Sequence, residues 1–288
     1  MKTYLDALQE VLENGEVRED RTGVGTISLF GMQQRYDLRK GFPAVTTKKL
    51  AWKSIVSELL WFIEGSGDER RLAEILHGKR DGVTTIWTSN ALAPDWKPQA
   101  AYDGDLGRVY GVQWRSWESY KKNVFGLPIE EIDQFADLIK GIKDNPYSRR
   151  HILNAWNVAD LDEMALPPCH VMAQFYVTKN DELSCQMYQR SCDMFLGVPF
   201  NIASYSLLTH LIAHECGLKV GEFVHTLGDA HIYTNHVNQV KQQLKRPALP
   251  LSTLWLNPEK KYVDHFTMDD IRLDNYESHG TIKAEMAV

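Results

Sequence analysis

The chain is poor in the features that mark an exported, metal-binding or membrane protein. Its 288 residues include only four cysteines, Cys169, Cys185, Cys192 and Cys216. None forms a C-x-x-C pair or stands at zinc-like spacing from a histidine, so no metal is expected. No secretory leader is read at the N-terminus, and a reducing cytoplasm is the expected setting. Positive charge is in deficit, with 32 Lys and Arg against 38 Asp and Glu and a formal charge of −6. That balance argues against a nucleic-acid polymer as partner while leaving local arginines free to hold a small phosphate. One apolar run, MFLGVPFNIASYSLLTHLIA, is long enough to span a bilayer, but it carries Gly197, Pro199, Asn201 and His210. It therefore reads as a buried helix, and no membrane partner is expected. Linkers are lacking too: no low-complexity or Pro/Gly/Ser-rich stretch divides the chain, which is read as a single domain over 1–288.

What is present is periodicity. Tyr4, Leu5, Leu8, Val11 and Leu12 recur at helical spacing up to Gly15, GTISLFGMQQRYDL is rich in strand formers, and AWKSIVSELLWFIEG returns to a helical period. IEEIDQFADLIKGIKDN predicts another helix, and HVMAQFYV and ELSCQMYQRSC predict a hairpin about TKND, with Asn180 and Asp181 supplying the turn. A turn centred between those two residues pairs Cys169 with Cys192, next to Arg190 and Ser191. Residues 194–216 are apolar nearly all round and predict a helix through the middle of the fold, with layers on both sides. The expected class is α+β.

Four groups of residues bear on chemistry, each with a plain structural alternative. Cys169, in LPPCHVMAQFYV, is a nucleophile if the nearby arginine stabilises its thiolate, or a core thiol or cystine partner of Cys192 if not. Glu58 sits among Ile55, Leu59, Trp61 and Phe62, and on the residues alone an outward orientation into water is favoured over a function. Arg149 and Arg150 are adjacent in SRRH, and in an extended segment they point to opposite faces, so both serve one site of their own subunit only if the chain bends; a solvated basic turn is the alternative. Asn201, inside the buried helix, either bonds a neighbouring loop or presents a donor and an acceptor to the edge of uracil or thymine. The glycines of TGVG lack the strand-to-helix frame and the Lys-Ser/Thr of a phosphate loop.

The motifs DRTGVGT, FPAVTTKKLAWKSIVSELLWF, PYSRRHILNAWN, LPPCH, YQRSCDMFLGVPFNIASY, GDAHIYTNH and the terminal IKAEMAV occur in an order that resembles the thymidylate synthase family along nearly the whole chain. The resemblance implies a mixed sheet packed with helices around a long buried central helix, with sheets meeting at a homodimer interface. It implies that Cys169 adds to C6 of dUMP and that C5 then attacks the one-carbon unit of 5,10-methylenetetrahydrofolate, a co-substrate that also supplies hydride. Asn201 would select uracil over cytosine and receive charge at O4. Arg21, Arg190 and Ser191 would bind the phosphate together with Arg149 and Arg150 of the second subunit, which removes the geometric difficulty with that pair. His231 and Tyr233 would hold the deoxyribose hydroxyl, Gln189 would line the pocket, and Asp193 would position both ligands. Glu58 would manage protons through water and Tyr110 would assist removal of the C5 proton. Lys48, Trp87, Asn90, Gly197 and Ala287 would lie on the folate side, with Trp87 and the terminal MAV excluding water.

Departures from the family pattern fall at Thr88, Arg108, Leu227 and Ala230, all expected near the folate and the proton network. They keep a dUMP hydroxymethylase, with water in place of hydride, as the nearest rival; Asn201 argues against its dCMP counterpart. A non-catalytic nucleotide- or RNA-binding protein of the same fold is the rival from another class, and it would have no use for Cys169, Glu58 or Tyr110.

Overall fold

The structure is a computed structural model that describes residues 1–20, 22–119 and 130–285. Helix α1 (Lys2–Asn14) buries Tyr4, Ala7, Leu8 and Val11 on one face, as their spacing predicts. Gly15 follows it in extended backbone at φ −71°, where a Cβ would come within 2.5 Å of the Val11 carbonyl oxygen and 2.7 Å of Ile27. The glycine is there for closeness to the next strand, not for a left-handed turn.

Strands β1 (Glu16–Arg18), β2 (Thr26–Asp37), β5 (Ile152–Asn154), β6 (His170–Val177), β7 (Glu182–Asp193) and β8 (Lys219–Tyr233) form one sheet, in the order β1-β2-β8-β7-β6-β5. Strands β3 (Trp117–Ser119) and β4 (Glu130–Ile132) pair separately, as do β9 (Thr253–Leu256) and β10 (Ile271–Asp274). Within the large sheet only β7 and β8 are parallel, which makes it mixed. Their connection is the expected central helix, α7 (Gly197–Cys216), in which thirteen residues are buried. It packs on β7 and β8 and meets α2 (Trp52–Glu64) and α6 (Gln134–Asp144) away from the sheet. Helices α3 (Glu69–His77), α4 (Thr88–Ala91), α5 (Tyr110–Arg115) and α8 (Val237–Leu244) complete the shell.

The β6–β7 hairpin is one residue out of step with the expected pairing: Ala173 faces Met187 and Val177 faces Leu183. The cause is the turn. Thr178 and Glu182 close a loop of three residues in which the Thr178 carbonyl accepts from Asp181 N–H, and Asp181 takes φ 59°. A two-residue loop would have given the other register.

The face of the sheet opposite α7 carries Gln33 and Arg35 of β2, Thr226 of β8, Gln186 and Tyr188 of β7 and Gln174 and Tyr176 of β6. Gln33 and Gln186 both donate to Thr226 Oγ1, at 3.2 and 3.1 Å, which places the three strands' polar residues on one side. Tyr176 remains 65% exposed there.

Candidate active site

Cys169 ends up beside Arg190, not Cys192. A register shift between His170 and Met172 moves the hairpin once more, so the Cys169 carbonyl accepts from Arg190 N–H at 2.8 Å. The Cys169 N–H donates to the Tyr110 hydroxyl oxygen at 2.7 Å, leaving the phenolic hydrogen for the thiol. All four cysteines are free; Cys192 is fully buried and its thiol donates to the Gln189 carbonyl. Burial pushes the Cys169 thiol above its ordinary pKa, while the charge of Arg190 and hydrogen bonds from Tyr110 and Ser191 pull it down. The expectation that an arginine makes this cysteine a ready thiolate is therefore met only in part, because desolvation outweighs the charge. Arg190 itself is anchored, donating to the carbonyls of Pro167 and Pro168, both at 2.8 Å, and lying over the Trp156 ring.

Across from the thiol, four side chains form a hydrogen-bond chain with one direction. His225 Nε2 bonds Gln189 Oε1 at 2.9 Å, Gln189 Nε2 donates to Asn201 Oδ1 at 3.0 Å, and Asn201 Nδ2 meets His170 Nε2 at 2.9 Å. Each link fixes the next. With Asn201 Nδ2 as donor, His170 Nε2 must be the acceptor, and burial holds that ring neutral, with its pKa lowered to about 3. Asn201 keeps one N–H and one oxygen lone pair outside this chain, the donor-acceptor pair that an imide edge needs. The plain alternative for Asn201, a bond to a neighbouring loop, is not what the helix position does. His170, which no sequence reading assigned to the site, is its fourth member; the signal was its place directly after Cys169.

Glu58 turns inward, contrary to the outward orientation that its neighbours in sequence favoured. Its Oε1 accepts from Trp87 Nε1 at 2.8 Å. Part of its surface still reaches solvent, yet the protein packs densely enough around it to push its pKa up to about 7, with the Trp87 bond pulling back. Tyr110 is 2% exposed, 5.8 Å from the Trp87 ring and 4.7 Å from the His170 ring. The close approach of α5 to α2 depends on Gly111, where a Cβ would sit 2.5 Å from the Phe62 carbonyl oxygen.

Asp193 accepts from Phe195 and Leu196 N–H at 3.0 and 3.1 Å, and shapes the turn that leads into α7, of which Gly197 is the first residue and Asn201 the fifth. Ser191 faces Asp229 and Asp193 faces His231 across the parallel pair, so His231 and Tyr233 lie at the same end of the sheet. His231 Nδ1 is 3.1 Å from Asp229 Oδ1, and its ring meets Tyr233 edge-on. Lys48 is buried against the Phe195 ring and donates to the Phe195 carbonyl; desolvation lowers its pKa to about 8 against the charge of Asp193. Asn90 is half-buried on α4.

The structure does not bring Arg149 and Arg150 to this cluster. Both are exposed ahead of β5, where Ile152 faces Gln174, so they lie level with the far end of β6. At ~3.3 Å per residue the separation from Cys169 along the strand is roughly 20 Å. Arg21 and Ala287 lie outside the described residues.

The four departures resolve into different jobs. Leu227 and Ala230 are fully buried in β8, facing Gln189 and Cys192, and fill the sheet interior. Arg108 is bound up in structure: it pairs with Asp160 at 2.6 Å and Glu118 at 3.1 Å and donates to the Ser116 carbonyl. Gln113 and Asn157 donate to the same Asp160 carboxylate. Thr88 donates to the buried Glu69 carboxylate at 2.6 Å, next to Trp87.

Among the described residues no group of three or more His, Cys, Asp or Glu is arranged to hold a metal ion, and no helix is long and apolar enough to cross a membrane. A nucleophile held beside an arginine, an oriented amide and a carboxyl with a raised pKa suit covalent addition to a polar heterocycle followed by proton transfer. The model of the thymidylate synthase family matches residues 2–288, and the chain belongs to that family.

Proposed function

We propose that the protein is a thymidylate synthase that reductively methylates dUMP to dTMP, with 5,10-methylenetetrahydrofolate supplying both the one-carbon unit and the hydride. The observation that carries the reading is the chain His225–Gln189–Asn201–His170 facing a thiol held by Tyr110, Arg190 and Ser191. The Cys169 sulfur bonds to C6 of uracil, and electron density moves through C5 to O4, where the Asn201 amide receives it. C5 then forms its bond to the one-carbon unit. A base in the Tyr110 network takes the C5 proton. The bond between the one-carbon unit and the folate nitrogen breaks to leave tetrahydrofolate and an exocyclic methylene, and Glu58, poised near neutrality, supplies the proton that the departing nitrogen takes. Hydride capture by the exocyclic methylene and departure of the sulfur from C6 complete dTMP and dihydrofolate.

In this reading Arg190, Ser191 and Arg21 hold the phosphate, His231 and Tyr233 the deoxyribose hydroxyl, and Gln189 the uracil pocket. Asp193 contacts both ligands. Lys48, Trp87, Asn90, Gly197 and Ala287 form the folate side. The residues work as one catalytic domain over 1–288, in a cytoplasm where the four thiols stay reduced.

The enzyme acts as a homodimer in which Arg149 and Arg150 reach the partner's phosphate site. Support comes from their distance from their own Cys169 and from the open sheet face with Tyr176 and Tyr188, which invites a second sheet. Tyr176→Glu is expected to yield a monomer with little activity in sedimentation and turnover assays; an active monomer contradicts the shared site.

Incubation with dUMP and methylenetetrahydrofolate, followed by dihydrofolate absorbance and nucleotide mass, tests the reaction. Equal dTMP and dihydrofolate are expected. A hydroxymethyl product without dihydrofolate overturns the synthase in favour of a dUMP hydroxymethylase, and binding without turnover reduces the protein to a nucleotide binder.

A further inference from the structure

Glu69 has a position that the reaction above does not use. It is the first residue of α3 and 0% exposed, and its backbone N–H donates to the Gly104 carbonyl at 2.8 Å. Burying a carboxylate without return is expensive, so its partners show what it is for. Arg70 pairs with Oε2. Oε1 accepts two hydroxyls at once, from Thr85 at 2.7 Å and from Thr88 at 2.6 Å. Those threonines bracket Trp87. Thr85 Oγ1 also accepts the Trp87 backbone N–H at 3.1 Å, and Thr88 Oγ1 accepts the Thr85 backbone N–H at 2.8 Å. The turn that carries Trp87 is thus closed on itself and tied to the start of α3.

The same turn aims the indole. Trp87 packs at 5.9 Å from the Trp61 ring, and Trp61 in turn donates from Nε1 to the carbonyl of Asp68, the residue before Glu69. From this seat Trp87 Nε1 reaches Glu58 at 2.8 Å. We propose that Glu69 is a positioning residue that, through Thr85 and Thr88, holds the Trp87 indole on the Glu58 carboxyl. The proposal deepens the synthase reading and rests on it for the meaning of Glu58, but the linkage itself is a property of the turn.

The indole N–H is a donor and favours the ionised carboxylate, opposing the desolvation that raises Glu58. The titratable groups facing Glu58 from the other elements are Tyr110 of α5 and Tyr205 of α7, and burial keeps both phenols neutral. The Trp87 bond is accordingly the adjustable part of the environment of Glu58.

The test titrates Glu58 directly by ¹³C NMR of labelled glutamate carboxyls, with Glu58→Gln assigning the resonance. Trp87→Phe removes the donor and is expected to raise the Glu58 midpoint by about one pH unit, the effect of losing one hydrogen bond to a charged group. Thr88→Val and Glu69→Leu should each raise it in the same direction. Thr88→Ser, which keeps the hydroxyl, should restore the native midpoint, and Thr88→Val added to Trp87→Phe should shift it no further. Thr88→Val is the milder change and keeps the test open if Glu69→Leu fails to fold. A midpoint unmoved by Thr88→Val, or moved equally by Thr88→Ser, overturns the proposal. The readout needs no turnover: a shifted midpoint in a protein that makes no dTMP would sink the synthase reading and leave the linkage standing.

Discussion

The two halves of the candidate site, around Cys169 and around Glu58, are positioned by different means. On the Cys169 side, β6, β7 and β8 place Arg190, Ser191, Asp193 and His231 by backbone register, and α7 brings Asn201 to meet them. On the Glu58 side the groups come from α2, the turn before α4 and the start of α5, and side-chain bonds align them: Trp87 to Glu58, Thr85 and Thr88 to Glu69, Tyr110 to Cys169. A sheet distributes strain over many ladder bonds, whereas a side-chain relay has no spare links. Substitutions at the register-placed residues of the first side should therefore remove a chemical group and leave the strand geometry alone, with Asn201 and its bonds to Gln189 and His170 the exception, and those on the second should change geometry and proton affinity together.

The sharpest break in that comparison is Cys169→Ala. Turnover should fall by at least about 10⁴-fold while dUMP still binds, measured by rate and by calorimetry. Residual turnover near the native rate would remove the nucleophile from the account. Next in size is Asn201→Leu, expected to lower kcat/KM for dUMP by roughly 10²–10³-fold and to cost about 1–3 kcal/mol of stability, because the ligand edge loses its donor and acceptor and the buried Gln189 and His170 each lose a hydrogen-bond partner.

Glu58→Gln belongs to the other side and should show both effects. Its kcat is expected to fall about 10²–10³-fold and to lose the pH limb near neutrality. Stability carries a second signature. Burial raises the Glu58 pKa to about 7 from the 4.5 of a solvated glutamate, so the native state holds its proton more tightly than the unfolded chain. The native protein should therefore lose stability as pH rises between those two values, by about 2 kcal/mol, and Glu58→Gln should lack that slope in urea titrations at pH 5 and pH 8.

Much of this division was legible in the sequence, for a physical reason. Helix periodicity located α1, α2, α6 and α7, because each buries one face or, for α7, every face. Arg190 beside Cys169 was legible from the hairpin and Asn201 from its place in a buried helix, whereas Gln189 entered only through the family resemblance. The hairpin register was missed by one residue, since the choice between a two- and a three-residue loop turns on the conformation of Asp181. Glu58 was misread on its neighbours because a helix boundary position faces in or out according to what packs across from it. Glu69 left no sequence signal: its partners, Thr85 and Thr88, lie sixteen and nineteen residues away with no period connecting them.

Smaller effects refine the contrast. Arg108→Leu should cost about 3 kcal/mol of stability, because Asp160 is left buried with one cation fewer, and should alter kcat less than Glu58→Gln does. Arg190→Gln should slow alkylation of Cys169 by iodoacetamide roughly 3–10-fold at neutral pH, since the charge that opposes desolvation is gone.

The most direct test of the central claim, a covalent bond between Cys169 and the pyrimidine, uses 5-fluoro-dUMP with methylenetetrahydrofolate. Fluorine at C5 cannot leave as a cation, so the reaction should halt with nucleotide and folate attached, and mass spectrometry of the digested protein should find both on the peptide containing Cys169. An unmodified Cys169 peptide, or an adduct on Cys192 or Cys216 instead, would contradict it.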